Sequence, residues 1–135
     1  MHIEPNLALF VLAHPDDEFF CTAFLSDEIL AGSEVHCAYL TDGAYGGQSA
    51  QRRIDETLSV LARYGVNSTR VHFIGAERGV ADGALAQQMS AAWQALRSAV
   101  PRAPTRIYTT AWEGGHQDHD ACHAVALRMA KECGC

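Results

Sequence analysis

Positive charge is scarce in this chain and nowhere gathered. Lys and Arg number 10 against 16 Asp and Glu, for a net charge of −6. With no basic block and no interleaving of aromatic and basic residues, a nucleic-acid backbone is excluded as a partner. Long apolar runs are also missing, and the run that opens at Leu7 is far too short to cross a bilayer. No positively charged leader with a small-residue cleavage site precedes it, so no signal peptide is expected. The 5 cysteines, Cys21, Cys37, Cys122, Cys133 and Cys135, are odd in number and scattered, which argues against a disulfide framework. Cys21, Cys37 and Cys122 are expected as small buried hydrophobes. Cys133-Gly134-Cys135 lacks the second half of a metal motif and is expected to fray. A reducing, cytoplasmic setting follows from this usage. No Gly-Lys-Ser/Thr follows the glycine-rich stretch Thr41–Gly47, so it is no phosphate loop and no dinucleotide fingerprint; it reads as a connection or a lip over a site. Internal repeats, linkers and low-complexity segments are absent.

What remains is one domain's worth of chain, 135 residues of which 48% are hydrophobic. Leu7–Leu12, uncharged and bounded by punctuation, reads as a strand buried on both faces. A helix is expected from Asp17 to about Ala31, with Phe20, Phe24 and Leu25 as its apolar stripe and Gly32 as its cap. Val35–Leu40 reads as a second strand. A helix from Gln51 to Tyr64 follows, patterned by Ile54, Leu58, Leu61 and Ala62. A third strand is expected over Arg70–Ile74 and a polar loop over Gly75–Gly83. Leu85, Met89, Trp93, Leu96 and Val100 mark a third helix with Met89 and Trp93 in the core. Thr105–Thr110 reads as the fourth strand and Asp118 to about Glu132 as the last helix. Strands alternating with helices predict an α/β fold with a mostly parallel sheet and helices on both faces. His14, Asp42, Glu77 and His116 all follow strands, so all are expected along one sheet edge.

Two clusters carry chemistry. Ala13-His14-Pro15-Asp16-Asp17-Glu18 ends the first strand, and Gly114-Gly115-His116-Gln117-Asp118-His119 ends the fourth. The first could serve only as a well-capped helix start; the pair together points to a metal site. His14, Asp17 and His119 supply two imidazoles and one carboxylate, a donor set suited to zinc with a position left for water. Asp16 is then a free carboxylate able to take a proton from that water. His116 can reach over the site to stabilise an oxyanion or protonate a leaving group, and Asp118 can orient His116. These parts describe metal-assisted hydrolysis of an amide or ester.

The same residues resemble a known family. Ala13-His14-Pro15-Asp16-Asp17-Glu18 is similar to the opening motif of the LmbE/PIG-L-like deacetylases. Gly115-His116-Gln117-Asp118-His119 resembles their second motif, which usually has Pro where Gln117 stands. Arg53-Ile54-Asp55-Glu56, followed by Leu61 to Val66, resembles the family's Arg-x-x-Glu helix and its turn. Ala81-Asp82-Gly83-Ala84-Leu85 resembles its Asp-Gly loop. The resemblance implies a three-layer Rossmann-like fold with about four to five strands. It implies zinc-dependent removal of acetyl from an N-acetylglucosamine conjugate. Carried over by position, His14, Asp17 and His119 bind zinc or another divalent metal, and Asp16 is the general base. His116 assists the tetrahedral intermediate, while Arg53 and Asp82 contact substrate. His123 is expected on the helix surface or supporting a ligand.

The chain departs from the family in two respects. Cys21 and Thr22 stand where glycines are frequent, and the chain is expected to form a single domain over 1–135 without the usual C-terminal extension. The expected partner is a small amino-sugar conjugate, with no nucleic acid and no membrane span. A sheet this small is also expected to be covered by a homo-oligomer. Two other readings compete with the deacetylase: a non-catalytic metal- or ligand-binding domain, and a hydrolase of a different amide or ester.

Overall fold

A computed structural model describes residues 3–135. Four parallel strands form its sheet: β1 (Leu7–Leu12), β2 (Glu34–Tyr39), β3 (Val71–His72) and β4 (Arg106–Thr109), in the order β3-β2-β1-β4. Five α-helices connect and cover them: α1 (Thr22–Leu30), α2 (Ala50–Arg63), α3 (Ile74–Arg78), α4 (Met89–Ala99) and α5 (Gln117–Cys133). This is the expected α/β architecture. Among the described residues no helix is long and apolar enough to cross a membrane.

β1 is central because all of its side chains are buried. Its pleat divides them. Leu7, Leu9 and Val11 join Ile74, Leu96, Val125 and Met129, the core beneath α3, α4 and α5. Ala8, Phe10 and Leu12 join Leu25, Tyr39 and Leu61, the core beneath α1 and α2. Alternation to two opposite cores is what a parallel sheet covered on both faces requires.

Five expectations need correction. Asp17–Cys21 is a 3₁₀ turn and α1 starts only at Thr22. The tighter winding turns Phe20 and Phe24 outward, to 76% and 52% exposure, and only Leu25 of the expected stripe is fully buried. The third strand stops at His72, and Ile74 instead opens the short helix α3 inside what reads as a loop. Leu85 lies in a separate 3₁₀ turn, and Met89 at the start of α4 is partly exposed while Trp93 is buried. Cys21 is only half-buried, whereas Cys37 and Cys122 are fully so. At the C-terminus Gly134, in the left-handed region at φ 73°, caps α5 through its N–H to Ala130 O, so the tail ends in a made cap.

One close approach brings the pieces of the site together. The Cα of Gly75 lies against the backbone of Thr41 so tightly that a Cβ there would stand 2.2 Å from Thr41 carbon atoms. This seats α3 directly on the end of β2. From there Val80 O accepts from Asp42 N, which turns the 80–85 loop back toward the end of β1.

Candidate metal centre

The strand end after β1 is built by its own acidic residues. Asp17 Oδ2 accepts from Ala13 N at 3.0 Å and from His14 N at 2.8 Å. Glu18 Oε2 accepts from Asp16 N at 3.0 Å and from the Tyr39 hydroxyl at 2.8 Å. These bonds satisfy backbone donors left open where the strand stops. They also explain why no regular helix starts at Asp17. The chain turns through Asp16 at φ 117°, a conformation rare for any residue but glycine, which costs on the order of 1–3 kcal/mol. Its side chain then meets Arg53, whose Nη2 donates to Asp16 Oδ2 at 2.6 Å and to Pro15 O at 2.8 Å.

The second cluster arrives from the start of α5. His119 Nε2 lies 3.4 Å from Asp17 Oδ1, while His14 Nδ1 lies 3.5 Å from Asp17 Oδ2. Asp17 therefore stands between the two imidazoles expected as co-ligands. Donors bound tetrahedrally at zinc distances are about 3.4 Å apart, so both separations suit such an ion. The far side of each ring is held as well. His119 Nδ1 lies 3.1 Å from Glu113 Oε1, and His14 Nε2 lies 2.9 Å from Asp118 Oδ2. His116 stacks on His119 with ring centroids 4.2 Å apart, and its donor atom lies within 4.8 Å of those of His14 and His119. A second group, His14, Asp82 and Asp118, also has mutual donor distances within 4.8 Å.

Here the structure revises one role. Asp118 is fully buried and bonds His14, not His116. It also accepts from Gly83 N and from Leu85 N, at 2.6 and 3.1 Å. Asp42 Oδ1 accepts from Ala44 N and Asp82 N, at 3.0 and 2.9 Å, so the two carboxylates together fix the 81–85 loop. Asp82 Oδ2 comes to 3.7 Å from His14 Nε2. Gln117, where the family usually has Pro, donates from Nε2 to Gly83 O at 2.8 Å. Glu77 is exposed on α3 and does not line the site, which corrects the expectation that it would. Glu113 is the functional candidate that the sequence reading missed. It lies in an unpatterned loop, and its spacing from His119 signals nothing.

Electrostatics concentrate on His14. Burial alone would lower its pKa. Hydrogen bonds to Asp118 and Asp17, with the charges of Asp17 and Asp82, outweigh that and raise it to about 10. Burial pushes Asp17 and Asp118 up, but their bonds to His14 and to the backbone hold both below the usual carboxylate range. Asp16 is raised by burial against the opposing charge of Arg53. The compact donor groups among the described residues are His14 with His116 and His119, and His14 with Asp82 and Asp118; both contain His14, and Asp17, which meets His14 and His119 through different oxygens, belongs to neither.

Three clefts border this centre. One of about 530 Å³, along Phe19, Val60 and Tyr64, shares Asp16, Phe20 and Arg53 with a polar one. The polar cleft, of about 610 Å³, is lined by His14, Asp16, Arg53, Asp82, Gln117 and His116, among others. An apolar one of about 480 Å³ runs along Leu12, Cys21, Phe24 and Tyr108. Asp17, Phe20 and His119 line the polar and the apolar cleft alike.

This arrangement has relatives. The fold superposes on the crystal structure of the conserved protein TT1542 from Thermus thermophilus with a TM-score of 0.73 and 23% sequence identity. The match covers 94% of this chain and 56% of that one, so the chain spans little more than half the length of that structure. No curated protein matches it. Residues 9–130 match the family described as PIG-L: GlcNAc-PI de-N-acetylase, and the span includes both His/Asp clusters. The chain therefore belongs to the PIG-L family of de-N-acetylases.

Proposed function

We propose that this protein is a metal-dependent hydrolase that removes acetyl from an N-acetylglucosamine-type conjugate. The observation that carries the reading is Asp17 standing between His14 and His119, with the unligated Asp16 next to it in sequence. His14, Asp17 and His119 would hold a divalent ion, zinc being the one their chemistry suits best. When bound, that ion would polarise the scissile carbonyl and make water more acidic. Asp16 takes the proton from the attacking water and passes it toward the departing amine. Arg53 holds Asp16 in place through its bond to Oδ2 and lines the polar cleft, where it meets substrate. His116 faces the reacting carbonyl from the α5 side and stabilises the developing oxyanion. Asp118 acts through His14. Asp82, at the rim of the polar cleft, accepts from a sugar hydroxyl. We place the protein in the cytoplasm.

The test pairs metal content with amine release. Protein purified without chelator should carry about one equivalent of divalent metal, since the two candidate donor groups share His14. Release of free amine from N-acetylglucosamine conjugates should follow that loading. His116→Ala should lower kcat and leave metal content unchanged. A second reading is a ligand-binding domain without turnover. Full metal loading with no amine released from any amide would establish that reading instead.

A further inference from the structure

We infer that the apolar cleft beside the metal centre receives an apolar acyl group larger than acetyl, so that the substrate is an amphiphilic N-acyl conjugate of a polar amine. The inference rests on the metal-dependent amide hydrolysis of the proposed function and replaces acetyl with a longer acyl chain as the group preferred. An amide hydrolase parts an acyl half from an amine half across one bond, and here a more polar and a more apolar cleft part at Asp17, Phe20 and His119. The polar cleft, with Asp16, Arg53, Asp82 and Gln117, suits the hydroxyls of an amino sugar. The other cleft leads away along Phe20, Cys21, Phe24 and Tyr108.

Besides Asp17 and His119, the polar side chains of this cleft, Glu113, Thr109 and Thr110, come from β4 and the loop after it, whereas Leu12, Phe20, Phe24 and Tyr108 supply apolar surface. Tyr108 stacks on Phe10 at 4.5 Å and lies 5.4 Å from the Phe24 ring, which gives the cleft an aromatic wall. The Tyr108 hydroxyl is turned away to Glu28 at 2.7 Å. Burial pushes the Cys21 thiol up to about 12, so it stays neutral. At about 480 Å³ the cleft falls in the size range of ligand sites and is far larger than a methyl group needs. Phe20 and Phe24 are 76% and 52% exposed, and apolar surface left open beside a reaction centre marks where an apolar group lands.

The experiment compares metal-loaded protein on N-acetyl-, N-butanoyl- and N-octanoylglucosamine, with free amine as the readout. Each buried methylene is worth roughly a factor of four, so octanoyl should exceed acetyl in kcat/KM by on the order of 10²-fold or more. Phe24→Ser, at a half-exposed position that the fold does not depend on, should cut that octanoyl-to-acetyl ratio by about tenfold. A binding arm needs no turnover. Octanoate, titrated into the protein and followed by amide chemical shifts, should perturb Phe20, Cys21, Phe24 and Tyr108, and less so in Phe24→Ser. Acetyl turnover equal to or faster than octanoyl, with no octanoate shifts at these residues, overturns the inference and leaves the deacetylase reading standing. Octanoate binding in the cleft with no amide hydrolysed sinks the hydrolase reading and supports the apolar subsite. A dimer by light scattering whose interface excludes octanoate assigns the cleft to a second copy and overturns the inference.

Discussion

Asp118 Oδ2 and His14 Nε2 are 2.9 Å apart and 104 residues apart in the chain. The contact joins the end of β1 to the first turn of α5, and Asp118 is fully buried in making it. A carboxylate on the far nitrogen of a ligating imidazole fixes both its tautomer and its orientation.

Asp118→Asn should therefore weaken metal binding by about 10–100-fold while the protein stays folded. Competition with a chromophoric zinc chelator measures this. An unchanged affinity would show that Asp118 serves only the 81–85 loop, through Gly83 and Leu85.

Asp16 combines a chemical role with a strained backbone. Asp16→Asn should lower kcat by on the order of 10²-fold or more with metal retained, since the amide keeps the shape and loses the basicity. Asp16→Gly should lose turnover as well but melt no lower than the native protein, because glycine is at ease at φ 117°. Thermal melts beside turnover assays separate the two effects. Near-native activity in metal-loaded Asp16→Asn would remove Asp16 from the base role.

Glu28 should set the acid limit of stability. It is fully buried and accepts from Arg106 Nη1 at 2.8 Å, from the Tyr108 hydroxyl at 2.7 Å and from Ser33 Oγ. Burial would raise its pKa, but the bonds from Ser33, Tyr108 and Arg106 hold it below the ordinary value. A carboxyl depressed in the folded state takes up its proton sooner when unfolded. Its stabilisation is thus complete above the ordinary glutamate range and is lost as pH falls through the lower folded value. Melting temperature should be level near neutrality and fall below about pH 4.3, the usual glutamate value. Glu28→Gln should melt lower at pH 7 and show a shallower fall. Parallel acid limbs in the two proteins would assign the fall to other carboxylates.

Gly75→Ala tests how the 75–85 segment is seated. A methyl group there meets Thr41 backbone rather than a movable side chain, so β2 and α3 must separate. The expected loss is about 3 kcal/mol or more, at the upper end of overpacking costs, and is visible in urea unfolding. A small loss would mean that α3 shifts freely on the sheet. In that case Asp82 would not be held near His14.

The two ends of the site were legible in the sequence, because a buried strand followed by His and Asp is a local pattern. The alternation of elements likewise gave the sheet and both layers. Local pattern failed where a side chain serves a distant backbone. Asp17 and Glu18 read as helix-start carboxylates, yet they turn back to donors at Ala13, His14 and Asp16. This shortens α1 and exposes Phe20 and Phe24. Asp118 reads as a neighbour of His116, two residues away, but the first turn of α5 aims it across the sheet edge at His14. Helix α3, with Gly75 inside it and Gly79 as its cap, has too few residues to show a period. Glu113 carries no motif at all.

The bonds from Asp17 to Ala13 N and His14 N close before any cation arrives, since they use only the chain itself. They belong to the same structure that ends β1 in the core. Folding therefore does not wait for the metal, unlike in small domains whose binding free energy is their folding free energy. An ion bound at the proposed centre should then be removable by chelator, and a different one supplied, without passing through an unfolded chain, so that one preparation can be compared across zinc, manganese, cobalt and nickel.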